Sequence, residues 1–67
     1  MKAIRIARTR AGLTQKQLAE LVERDQSEIS RIEAGKTALT VPLLLRMARA
    51  LKVPPGKLLD EIRDKAA

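Results

Sequence analysis

The sequence predicts an all-α fold, a compact five-helix bundle forming a single domain over residues 1–67. Three observations carry this expectation. Apolar residues recur at spacings of three and four, and no segment keeps the period-two alternation of a half-buried strand. Gly12, Gly35, Pro54 and Pro55 fall between the periodic segments rather than inside them. A chain of 67 residues also has room for one core and no more.

The first predicted helix covers residues 2–10. Ile4, Ala7 and Ala11 share its inward face, Ile6 lies outside that pattern, and Gly12 is a C′ stop. The second covers residues 15–22. Thr14 is its N-cap, Gln17 completes a capping box three residues later, and Leu18, Ala19, Leu21 and Val22 are its apolar positions. A short turn at Glu23 and Arg24 follows. Asp25 caps the third helix, residues 26–34, with Glu28 in capping-box position, Ile29 and Ile32 inward and Gly35 as the stop. Residues 36–39 read as a loop. Thr40 caps the fourth helix, residues 41–51, and Pro42 is tolerated in its first turn. Its expected buried stripe is Val41, Leu44, Leu45, Ala48 and Leu51. Leu43, Met47 and Ala50 form a second stripe. Pro54 and Pro55 end that helix, and Pro55 opens a fifth over residues 55–65, with Leu58, Leu59 and Ile62 as its apolar positions. The turn between the second and third helices is so short that it forces a steep angle, which is the helix-turn-helix geometry.

Composition narrows the function classes. Fourteen Lys and Arg against eight Asp and Glu leave a net charge of +6, which favours a polyanionic partner. The absence of aromatic residues removes the stacking platforms of single-strand and RNA modules. With no His and no Cys, and no glycine-rich phosphate loop, enzymatic activity, a metal site and a cofactor are not expected. No apolar run reaches the roughly 20 residues of a membrane span. The opening MKAIRIARTR is too interrupted by charge for a signal peptide, so a cytoplasmic location is expected. The charge is unevenly spread. Residues 1–19 carry +5 and residues 34–58 another +5, while residues 20–33 carry −3. Two basic blocks therefore flank an acidic middle. Capping by Asp25 and Glu28, and pairing of Glu33, would account for three of its five acids.

The run LTQKQLAELVERDQSEISRIEAGKT resembles the helix-turn-helix of the phage repressor/Cro (Xre-like) family at Thr14, Gln15, Leu18, Ala19, Val22, Ile29, Ile32, Glu33 and Gly35. The likeness continues through LLRMARALKV, and Arg8 matches an arginine of the family's first helix. One departure stands out: Glu23 occupies the turn position at which the family usually has Gly. A left-handed backbone there costs a non-Gly residue roughly 1 kcal/mol. Either Glu23 tolerates that strain or the turn is wound differently.

The resemblance implies a lambda-repressor-like DNA-binding domain whose third helix enters the major groove of double-stranded DNA. Gln26, Ser27, Glu28 and Arg31 are then the candidate base-reading residues. Gln bonds bidentately to adenine, Arg to guanine, Ser to bases or phosphate, and Glu accepts from cytosine N4. Glu28 is equally well explained by its capping box. Gln15, Ser30, Lys36, Thr37, Arg8 and Arg10 are the candidate phosphate contacts, which position a protein without specifying sequence. Arg8 and Glu33 match a family pair that bridges the first and third helices. A homodimer is expected because a single half-site gives little specificity. Leu43, Met47, Leu58, Leu59 and Ile62 are candidates for its interface, with burial under the fifth helix as the alternative. The expected function is a transcriptional regulator, a repressor on a palindromic operator, with no small-molecule effector. The alternative is an antitoxin-type or other protein-interaction module whose DNA binding is secondary.

Overall fold

The computed structural model describes residues 2–58. Four helices follow one another: α1 (Lys2–Arg10), α2 (Gln15–Leu21), α3 (Gln26–Glu33) and α4 (Val41–Leu51). The backbone is helical again over residues 55–58, and there is no strand among the described residues. The predicted boundaries agree within one residue. The predicted stretch 59–65 of the fifth helix lies outside the described residues.

Local chemistry explains where the helices begin. The Thr14 hydroxyl accepts from the Gln17 N–H at 3.0 Å, and Gln17 Oε1 accepts from the Thr14 N–H at 2.9 Å, so the expected capping box is complete. Thr40 Oγ1 accepts from the Leu43 N–H at 3.4 Å. The expected box at Asp25 does not form. Asp25 holds the extended N-cap backbone, but its side chain makes no cap hydrogen bond. Glu28 Oε1 lies instead 3.9 Å from Arg24 Nη1, four residues earlier. A full opposite charge competes well with a single N–H donor for that carboxylate.

All four helices end the same way. A residue with φ between 58° and 75° follows each: Gly12, Glu23, Gly35 and Lys52. Behind each, one N–H reaches back five residues, as in Leu13 to Arg8, Arg24 to Ala19, Lys36 to Arg31 and Val53 to Ala48. This is the Schellman arrangement. Glu23 therefore keeps the left-handed turn and carries its strain. At α4 the stop is Lys52, ahead of the prolines.

The core is built from Ile4 of α1, Leu18 and Ala19 of α2 with Val22 beside them, Ile29 and Ile32 of α3, and five residues of α4. Leu58 closes it from beyond α4. On α4 the buried set is Leu43, Leu44, Met47, Ala48 and Leu51. This corrects the expected stripe in both directions. Val41 and Leu45 are 60% and 48% exposed, while Leu43, Met47 and Leu58 are 3%, 0% and 1% exposed. The last three are core residues and present no surface to a second subunit; Leu59 and Ile62 lie outside the described residues. The physical reason is that α4 is apolar almost all round, so its apolar spacing fits more than one face. Its charges discriminate: Arg46 and Arg49 mark the solvent side, and the face opposite them is the one that is buried. Leu21, 57% exposed, and Ala11, also exposed, likewise leave the inward faces assigned to them.

Candidate nucleic-acid interface

The outward face of α3 follows from its buried one. Ile29 and Ile32 anchor the helix in the core, and Glu33 lies beside them with its side chain 5% exposed. At about 100° per residue, Ser27, Ser30 and Arg31 then fall on the opposite face, and Gln26 stands at its edge, at the first position of the helix. All four are exposed, and their side chains take no partner among the described residues. Glu28 does not join them. It is half-buried on the flank of α3, next to Arg24. Lys36 and Thr37 are exposed immediately after α3, where the Schellman turn at Gly35 redirects the chain.

Arg8 is fully engaged inside the protein. Its Nε donates to Glu33 Oε2 at 2.6 Å, Nη2 to Glu33 Oε1 at 3.2 Å, and Nη1 to the Leu13 carbonyl at 2.8 Å. This two-pronged ion pair is the expected bridge between α1 and α3. With Arg8 14% exposed and every nitrogen of its guanidinium occupied, the arginine is a structural residue and not a phosphate contact. Glu33 Oε1 also accepts from Gln15 Nε2 at 3.2 Å. One carboxylate thus ties the starts of α2 and the end of α3 to α1, and it fixes the amide of Gln15 at the first position of α2.

Arg10 sits apart. Residues two apart on a helix do not share a face, and Arg10 lies on the flank of α1 away from Arg8. There it lines a cleft of about 500 Å³ with Ile6, Leu51, Lys57 and Leu58.

The acidic middle of the chain is largely neutralised, by arginines rather than by caps. Glu33 pairs with Arg8, Glu28 faces Arg24, and Glu23 Oε2 lies 3.8 Å from Arg46 Nη1. Arg24 and Arg46 were not among the residues singled out from the sequence. The i, i+4 spacing of Arg24 and Glu28 was a readable signal; the approach of Arg46 to the turn, 23 residues away in sequence, was not. Among the described residues no group of His, Cys, Asp or Glu is arranged to hold a metal ion. No helix among them is long and apolar enough to cross a membrane.

Comparison with known proteins agrees with this architecture. The family model of a helix-turn-helix domain matches residues 3–62. Among solved structures, the chain is similar to the restriction-modification controller protein C.AhdI from Aeromonas hydrophila. The two are 33% identical with a TM-score of 0.81, over 85% of this chain and 86% of that one. No curated protein matches. The chain therefore belongs to the Cro/Xre-like helix-turn-helix family, whose members are DNA-binding transcription regulators.

Proposed function

We propose that this protein is a sequence-specific regulator that represses transcription by binding a palindromic operator as a homodimer, with α3 of each subunit in the major groove. The observation that carries this reading is the outward face of α3. Gln26, Ser27, Ser30 and Arg31 stand exposed together, with no partner among the described residues, on a helix anchored by Ile29, Ile32 and Glu33. Gln and Arg are the residue types that pair bidentately with adenine and guanine. Their freedom leaves that capacity available to base edges. Lys36 and Thr37, and Gln15 held by Glu33, flank the face and supply the phosphate contacts that set register. The likeness to a restriction-modification controller protein supports a regulatory role without catalysis. A cytoplasmic location follows from that role.

Selection of bound duplexes from a random pool tests this reading. The expected result is an inverted repeat whose half-sites are centred about 10 bp apart, one turn of DNA. Recovery of an unrelated mixture of sequences would overturn sequence-specific reading, and recovery of a single asymmetric half-site would overturn the dimer.

A further inference from the structure

The turn between α2 and α3 sets the direction in which α3 leaves α2, and it is built from an unfavourable residue. Glu23 adopts φ 58° at its centre, a conformation that glycine takes freely and other L-residues resist. The turn is closed on one side by its own backbone, through the Glu23 N–H to Glu20 and the Arg24 N–H to Ala19 at 2.8 Å. On the other side it meets α4. Arg46 Nη1 lies 3.5 Å from the carbonyl of Val22, the C-cap of α2, and 3.8 Å from Glu23 Oε2. One guanidinium therefore touches both the last carbonyl before the turn and the side chain of its strained residue. Both Arg46 and Glu23 line a shallow groove there, together with Val22 and Ala50.

From this geometry we infer that Arg46 is a positioning residue for DNA recognition: it clamps the turn at Val22 and Glu23 and so holds the angle of α3. The carbonyl of a helix C-cap has no intrahelical donor, and the guanidinium supplies one from a different element. The Glu23 carboxylate reaches the same cation, which links the strained residue to the element that restrains it. The Arg46 side chain is 57% exposed, and that of its partner Glu23 is 81% exposed. Its contribution to global stability is accordingly small, and its effect is on the orientation of α3. The inference rests on the reading that α3 enters the major groove.

Three variants test it: Arg46→Met, which keeps the stem and removes the guanidinium; Glu23→Gly, which removes the strain; and the two combined. Circular dichroism and thermal melting establish the folded state of each. Residual dipolar couplings of the free protein report the orientation of α3 against α2. In Arg46→Met the orientation is expected to change, and in the double variant it is expected to return, because glycine holds the turn unaided. Binding to the duplex selected by the wild type should fall about tenfold in Arg46→Met, the equivalent of one lost base contact. Binding to a scrambled duplex should stay within about twofold, and the salt dependence on the selected duplex should be unchanged. Unaltered couplings in Arg46→Met would overturn the inference. So would an equal loss on both duplexes with a salt slope reduced by about one, which is the signature of a phosphate contact. A wild type that selects no sequence would defeat the major-groove reading, while the couplings still decide whether Arg46 holds the turn.

Discussion

Besides Glu28, which pairs with Arg24 on its flank, the polar side chains on α3 divide into two kinds. Glu33 faces inward and holds Arg8 and Gln15, whereas Gln26 and Arg31 face outward and hold nothing. The two kinds respond differently to truncation. Removing Glu33 leaves the Arg8 guanidinium, 14% exposed, without its counter-ion in a site that water reaches poorly. Glu33→Ala is expected to destabilise the fold by about 3 kcal/mol, which lowers Tm by at least about 10 °C in a domain this small. Thermal melting followed by circular dichroism checks this, and a change of only a degree or two would show that the pair behaves as a surface one. Gln26→Ala removes no internal contact, so Tm should hold. Its effect belongs to DNA: a loss of about 1–3 kcal/mol on the selected site with relaxed preference at one base position. Unchanged selectivity in a repeated selection would exclude Gln26 as a reader.

At the level of the elements, the common device is the left-handed stop. Gly12 and Gly35 occupy it without strain, whereas Glu23 and Lys52 occupy it at φ 58°. The two non-glycine stops are therefore places where the fold is less stable than it has to be. Lys52 is at the end of α4, away from the helix-turn-helix, and offers the simpler case. Lys52→Gly is expected to stabilise the protein by about 0.5–1 kcal/mol by removing the Cβ clash. Chemical denaturation is the direct measurement, read as a higher midpoint at constant slope. A lower midpoint would mean that the lysine side chain contributes more at that position than its backbone strain costs.

The whole molecule carries its charge and its selectivity on different parts. Net charge is +6, yet residues 20–33, which contain α3, sum to −3. The arginine partners of Glu23, Glu28 and Glu33 reduce the repulsion that this segment would otherwise exert on phosphates. Affinity then depends on the basic blocks on either side, and salt should weaken binding steeply. Lys36→Ala should weaken all duplexes alike and flatten the plot of log K against log salt by about one unit. Fluorescence anisotropy across a salt series measures it, and a loss confined to the selected site would assign Lys36 to base reading instead.

Much of this was written in the sequence because the determinants are local. Thr14 with Gln17, Thr40, Gly12 and Gly35 act on backbone groups within a few residues of themselves, so the helices begin and end almost where the pattern places them. The family match across Thr14 to Gly35 is legible for the same reason: short caps and a short turn constrain which residues are acceptable. What required the tertiary structure was orientation and partnership. The inward face of α4 was ambiguous because nearly every position there is apolar, and packing against α1 and α2 chose Leu43 and Met47 over Val41 and Leu45. The role of Arg8 was open between phosphate and Glu33, and the closure of α1 onto α3 resolved it by burying both. Glu23 raised a question that only the fold answers. The backbone keeps the left-handed turn because the Schellman hydrogen bonds and the packing on either side of it outweigh a strain of roughly 1 kcal/mol. Sequence by itself determined the elements and their order, through interactions of short range. The choice of faces, the ion pair of Arg8 with Glu33 and the contact of Arg46 with the turn were decided by residues brought together from more than twenty positions apart, a distance over which no local pattern carries information.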